Sequence, residues 1–287
     1  PVSGGKYMTN QPISLSYARN KAVFDGLLLS ALSAAAHTDR PLDVHVLTMD
    51  LREQKANYLP FSENQMHVLK EALRRKNAQS RVTVYDLTEL YMKTADRNKN
   101  AKSKYTPYTL LRLFLSELAG IPDKILYLDV DTMCAGDIAP LFDTDIEGYE
   151  YAACIDPICK YWIDPHYCNA GVLLLNMPEI RRSKLFERAR QLMCERHFAM
   201  PDQTALHKLG KKRIYLPRKY NEQSRRMRED TVIKHFCQGI KFYLILPLPL
   251  NIKQWQRERV HKKLKIFTFD DIYEEYDRLA AEFDLKA

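Results

Sequence analysis

A chain of 287 residues, 46% hydrophobic and 28% charged, carries enough apolar side chains for a sizeable buried core, which excludes a disordered protein. Its six cysteines are too few and too scattered for a disulfide-built fold of this size, so reduced thiols in a cytoplasmic setting are expected. The net charge is +8, and no run approaches the ~20 apolar residues that span a bilayer, which argues against an integral membrane protein.

Residues 1–11, opening on Pro1-Val-Ser-Gly-Gly5, read as an expression remnant or a disordered tail, and regular structure is expected from Pro12. Ile13, Leu15 and Tyr17 alternate with Ser14 and Ser16, the period of a strand, and a turn over Arg19–Gly26 leads into an apolar helix ending near His37. That turn has no Gly-x-Gly-x-x-Gly and the chain has no Walker lysine loop, so dehydrogenase and P-loop chemistry drop out. Asp43–Met49 is a second strand, Glu63–Lys76 a polar-faced helix and Arg81–Asp86 a third strand. Strands alternating with helices predict an α/β fold, a mostly parallel central sheet with helices on both faces. A further helix is expected from Tyr105 to Leu118, with Arg112 interrupting its apolar run; such an Arg is ordinarily a solvated or paired face residue.

The most telling stretch follows. Ile125–Leu128 is a short apolar run suited to a doubly buried strand, and it breaks into Asp129, Val130 and Asp131. Residues two apart on extended chain point the same way, so the two carboxylates can converge on one point and hold a hard divalent cation such as Mg2+ or Mn2+. The plainer alternative is a strand-end turn that the two acids cap. Cys154, Cys159, His166 and Cys168 fall close together, but without a Cys-x-x-Cys pair they make a weak zinc motif. Tyr167–Asn176 reads as a buried strand entered through Asn169-Ala170-Gly171, small residues that let a ligand approach the backbone. Pro178–Phe198 is expected to be one long helix, and Asp202 the N-cap of the next. His235 stands on a short late strand, where a packed core imidazole and a metal ligand are both open readings. Between Lys208 and Lys265, 17 Lys and Arg stand against 4 Asp and Glu, with Tyr215, Tyr220, Phe242, Tyr243 and Trp255 interleaved; anionic lipid, nucleic acid, an anionic acceptor or plain solvation would all suit it. Phe269–Phe283 patterns as an acidic amphipathic helix, so the domain organisation is 12–265 as the catalytic unit and 266–287 as a C-terminal helix.

Leu126-Tyr-Leu-Asp-Val-Asp131 followed by Asp137-Ile-Ala-Pro-Leu141 resembles the aspartate signature of the family 8 retaining glycosyltransferases, and the likeness extends over most of the chain. The resemblance implies a single Rossmann-like domain of the glycosyltransferase A type that binds a UDP-sugar. It implies Mn2+, with Mg2+ as the alternative, held by Asp129, Asp131 and His235. It assigns donor contacts to Tyr17, Ala18, Asn20, Arg112, Asp129, Val130, Asn169, Ala170 and Lys241. Asp202 and Gln203 become the catalytic pair, the Asp holding sugar hydroxyls and the Gln facing the anomeric carbon. Ala18, Arg19 and Thr204 depart from acidic residues common at those places in relatives, and Phe242-Tyr243 from the usual Pro-Trp. The implied activity is transfer of glucose or galactose to a hydroxyl of a cell-surface glycan or glycolipid such as lipopolysaccharide. The setting would be the inner face of the membrane, with peripheral contact to anionic lipid and no nucleic acid. The competing reading is a basic lipid- or RNA-binding module on a degenerate transferase fold. Nucleotidyl transfer is disfavoured by the missing glycine-rich loop.

Overall fold

The structure is a computed structural model that describes residues 11–95, 98–100, 106–243 and 246–285; the side chains of Ala95 and of residues 240–249 lie outside that description. In chain order the elements are β1 (Ile13–Ala18), α1 (Phe24–Ala36), β2 (Leu42–Thr48), α2 (Glu63–Lys76), β3 (Arg81–Asp86) and α3 (Thr88–Ala95), then a 3-10 helix (Pro107–Glu117). They continue with β4 (Lys124–Leu128), β5 (Thr132–Cys134), α4 (Ala139–Phe142), β6 (Tyr151–Ile155), α5 (Cys159–Trp162), β7 (Cys168–Asn176), α6 (Met177–Ser183), α7 (Leu185–Glu195) and α8 (Pro201–Leu209). The last are β8 (Arg213–Leu216), β9 (Ile233–His235), β10 (Gly239–Tyr243), β11 (Leu246–Leu250), α9 (Arg257–Arg259) and α10 (Asp270–Glu282).

Seven strands form the central sheet in the order β3-β2-β1-β4-β7-β6-β8. All neighbours run parallel except β7, which is antiparallel to β4 and β6. The inner strands of the sheet are buried on both faces because their side chains alternate between two cores. In β4, Leu126 and Leu128 point into the core formed with α1, α2 and α10, while Ile125 and Tyr127 point into the one beneath the 3-10 helix, α6, α7 and α8. The order places β2 on one side of β1 and β4 on the other, so the chain switches direction between β1 and β4; ligands of open α/β sheets bind beyond the carboxyl ends at such a switch.

Three expectations change. The Arg112 segment is a 3-10 helix, not an α-helix, and Pro107 through Leu115 are all buried. With no wet face, its winding is set by neighbours rather than by its own apolar period. The long helix after β7 is broken, because Lys184 takes the left-handed conformation (φ 53) and ends α6. That conformation costs roughly 1–2 kcal/mol in an L-residue, and burial of Leu185 and Phe186 on the far side of the break offsets it. Asp202 is not an N-cap: Met200 holds that place, and Asp202 lies in the first turn of α8 with its carboxylate turned to Arg112.

α10 folds back on two regions. Tyr276 donates to Asp25 of α1 at 2.8 Å, Arg75 of α2 pairs with Glu282, and Arg257 in the basic stretch pairs with Asp277 at 3.3 Å. Its Ile272, Tyr273 and Leu279 belong to the same core as β1 and α1. Trp255 is half-buried: Gly26 is the residue that admits its ring, since a Cβ there would lie 2.6 Å from the indole. Tyr220 is buried.

Candidate active site

β4 ends at Leu128, and the backbone N–H of Asp129 still donates to Gly171 O of β7 at 2.8 Å, so the first carboxylate is held at the sheet edge. The chain then turns into β5, whose Thr132 pairs with His235 of β9. Phe236 N donates to Asp131 O at 2.7 Å. This short antiparallel ladder carries the imidazole to the aspartates across more than a hundred residues of sequence. Ligand atoms of Asp129, Asp131 and His235 all lie within 4.8 Å of one another, the one such group of three metal-ligating side chains among the described residues.

The polarity of the ring follows from a chain of hydrogen bonds. Asn169 Nδ2 donates to the Asp156 carboxylate at 3.1 Å, which turns Asn169 Oδ1 toward Gly171 N (2.9 Å) and Asn221 Nδ2 (3.0 Å). Asn221 Oδ1 therefore faces His235 Nδ1 at 3.0 Å and accepts its proton. Nε2 is left with its lone pair aimed at the carboxylates, 3.3 Å from Asp131 Oδ1 and 3.8 Å from Asp129 Oδ2. Asp131 Oδ1 is buried and accepts no hydrogen bond. Acceptors facing acceptors at this range are reconciled by a cation between them, and two carboxylates with an imidazole are a donor set for Mn2+ or Mg2+. Gly171 is required beneath the ring, because a Cβ there would lie 2.2 Å from His235 Cε1.

Two basic side chains flank the cluster. Arg112 is 2% exposed, stacks on Tyr127 at 4.2 Å, and meets Asp129 at 2.9 Å and Asp202 at 3.2 Å. Burial works against its charge, but Asp129, Tyr127 and Asp202 override it and keep the guanidinium protonated. Burial raises the Asp202 carboxyl, with Arg112 opposing. On the other side Lys253 Nζ bonds Asp131 Oδ2 and donates to Phe236 O at 3.1 Å. Burial alone would raise the Asp131 carboxyl; the Lys253 ammonium beside it holds it well below the usual carboxylate range.

The expected residues thus divide. Asp129, Asp131, His235, Arg112, Asn169 and Ala170 converge, and Gln203 Oε1 accepts from Ala170 N at 3.0 Å, which binds the Asp202–Gln203 turn to the same edge. Val130 O accepts from Gln254 Nε2 at 2.5 Å. Ala18 ends β1, and Asn20 donates to Asn57 O at 3.3 Å, whereas the Tyr17 side chain points away into the core with its hydroxyl accepting from Ser30 at 3.2 Å. The side chain of Lys241 lies outside the described residues. Sequence reading missed Lys253, Asn221 and Asp156. Lys253 lies in the basic stretch two residues before Trp255, with the β10–β11 hairpin separating it from His235. Asn221 had no signal.

Residues 13–243 match the model of glycosyl transferase family 8. Among curated proteins the chain is 32% identical to lipopolysaccharide 1,2-glucosyltransferase of Escherichia coli K12 over 122 residues, 38% of this chain and 36% of that one. It is 24% identical to a putative glycosyltransferase of Haemophilus influenzae over 145 residues, 42% and 44% respectively. These alignments span under half of the curated relatives' length. Among solved structures, galactosyltransferase LgtC in complex with donor and acceptor sugar analogs shares the fold at a TM-score of 0.67 and 21% identity, over 93% of this chain and 96% of that one. The bifunctional glycosyltransferase WbbM superposes at 0.68 and 14% identity, over 97% and 52%. With a family match across most of its length and an aspartate–histidine cluster at the switch point of the sheet, the chain belongs to glycosyltransferase family 8.

Proposed function

We propose that the protein transfers a hexose, glucose or galactose, from a UDP-sugar to a hydroxyl of a cell-surface glycan or glycolipid such as lipopolysaccharide, with retention of anomeric configuration. The observation that carries this reading is the convergence of Asp129, Asp131 and His235 within 4.8 Å, with the His235 lone pair turned inward. A Mn2+ or Mg2+ ion held by these three would act as a Lewis acid on the departing diphosphate. Lys253, already at Asp131, is positioned to share that negative charge. Asp202 is held by Arg112 and suits hydroxyl binding; it is not free to attack carbon. Gln203 is an amide and a poor nucleophile, so no covalent glycosyl-enzyme is expected. The acceptor would then attack on the face the diphosphate leaves, with Gln203 stabilising the positive charge that develops at the sugar. The names of the E. coli relative and of the donor- and acceptor-bound LgtC support the choice of substrates. A binding-only module would have no need of the complete ligand set and of the bonds that orient it.

A lipid-borne acceptor would call for an enzyme at the inner face of the membrane, in peripheral contact through the basic stretch from Lys208 to Lys265. Hydrolysis of a panel of nucleotide sugars by the purified protein, with added Mn2+ and with chelator, tests the reading. Turnover of UDP-glucose or UDP-galactose that requires the metal is the expected result. Full turnover in chelator removes the metal role, and no turnover of any donor removes the transferase.

A further inference from the structure

Between Asp156 and Tyr167 the chain leaves the sheet edge and returns, and its neck is closed by Asp156 N donating to Tyr167 O at 2.8 Å. Asp156 roots the excursion in the site. One carboxylate oxygen accepts the amides of Ile158 (3.0 Å) and Cys159 (2.8 Å) that open α5, and the other accepts from Asn169 in the chain of bonds behind His235. At the tip stand Tyr161, Trp162 and Ile163, 75%, 83% and 50% exposed. Single exposed apolar residues are ordinary; three in succession, one a tryptophan more than four-fifths in water, are not. The protein has two tryptophans, and the other is the one fitted against Gly26.

The surroundings say what would cover this tip. The Lys160 ammonium sits over the Tyr161 ring at 4.8 Å. The excursion leans on β8 and the end of α8, through the His166 and Tyr215 rings at 5.7 Å and His207 to Asp164 at 3.8 Å. The stretch it leans on, from Lys208 to Lys219, carries six lysines and arginines and no acid, and Tyr215 there is 44% exposed. Tyrosine and tryptophan prefer the headgroup level of a bilayer, and basic side chains beside them are attracted to anionic lipid. A neutral glycan would call for aromatic rings without that cationic border. Among the described residues no helix is long and apolar enough to cross a membrane, so attachment of this kind would be peripheral.

We propose that the Tyr161-Trp162-Ile163 tip enters the headgroup region of an anionic bilayer and that the basic Lys208–Lys219 stretch steers it there, holding the site at the surface where a lipid-borne acceptor is met. The purpose rests on the proposed function; the contact does not.

The test uses the whole protein and no substrate: phosphatidylcholine vesicles with and without phosphatidylglycerol, read by cosedimentation and by tryptophan emission. Anionic vesicles shift the emission to the blue, Trp162→Phe abolishes the shift, and Tyr161→Ser/Trp162→Ser/Ile163→Ser lowers the partition coefficient on the order of tenfold. Because these side chains are in water, the variants keep the wild-type circular dichroism and nucleotide-sugar hydrolysis. Emission unmoved by anionic vesicles, a partition unchanged in the triple variant, or the same blue shift from soluble glycans without lipid would each overturn the proposal. Vesicle binding in a protein that hydrolyses no nucleotide sugar would overturn the proposed function and leave this contact standing.

Discussion

Asp129 and Asp131 stand two residues apart at the end of one strand, yet the cations that face them come from different parts of the chain and differ in freedom. Arg112, on the Asp129 side, is 3% exposed at its side chain and is held at once by Asp129, Asp202, the Thr109 carbonyl and the Tyr127 ring. Lys253, on the Asp131 side, is 24% exposed and hangs from a loop that follows a hairpin. An arginine so enclosed cannot leave without stripping the buried Asp202 and the half-buried Asp129 of their cation, whereas an ammonium with a path to water can. The Asp129 side is therefore wall, and the Asp131 side is where charge can exchange. The imidazole on that side is oriented from behind by the neutral amide of Asn221.

The largest test of this asymmetry removes the carboxylates one at a time. Asp129→Ala and Asp131→Ala should each lower metal-dependent hydrolysis by more than about 100-fold, since even outer partners of metal ligands are worth ~10–100-fold. They should differ in stability, because only Asp129→Ala deprives the buried Arg112 of a partner. Equal melting temperatures for the two variants would erase the distinction. Next comes Arg112→Leu, expected to cost about 3–5 kcal/mol of unfolding free energy by urea titration, since the buried Asp202 loses its cation and the half-buried Asp129 is left with the Tyr127 hydroxyl. A loss of activity without loss of stability would make Arg112 a donor contact and nothing more.

On the other side, Asn221→Ala should weaken Mn2+ binding, followed by electron paramagnetic resonance, about 10–100-fold while the fold persists. Wild-type affinity would mean that the tautomer of His235 is not held by this bond. Gln203→Ala bears on neither cation, and should lower kcat on the order of tenfold with donor KM nearly unchanged; an unaltered kcat would take Gln203 out of the site.

The smallest effect is in acid. Asp131 is depressed by Lys253 against the pull of burial, so its contribution to stability is complete above the unfolded carboxyl value of ~3.9 and is lost as pH falls through the lower folded value. Lys253→Met raises the folded value, so the acid limb of unfolding should move to higher pH. Superimposable limbs would show that Lys253 does not set the charge of Asp131.

What could be read from the chain alone was whatever neighbours in sequence decide. β1, α2 and β3 fall close to their expected bounds because alternation, and at α2 the Ser62–Gln65 capping box, are local signals. The two aspartates stand two residues apart at a strand end, so a paired-carboxylate site was legible, but a turn closed by Thr132 N on Asp129 O, not extended chain, is what brings them together. Tertiary structure decided the rest, because burial and distant partners outweigh local preference. It wound the Arg112 segment as a 3-10 helix, broke the helix at Lys184, turned Asp202 from a cap to a partner of Arg112, and packed Trp255 against Gly26. It brought Lys253 and Asn221 to the cluster through a ladder of three residue pairs between β5 and β9 and through a loop braced by Tyr273, whose hydroxyl donates to Gln254 O at 2.8 Å. Sequence spacing has no bearing on contacts separated by a hundred residues; only the register of strands that meet in space can supply them.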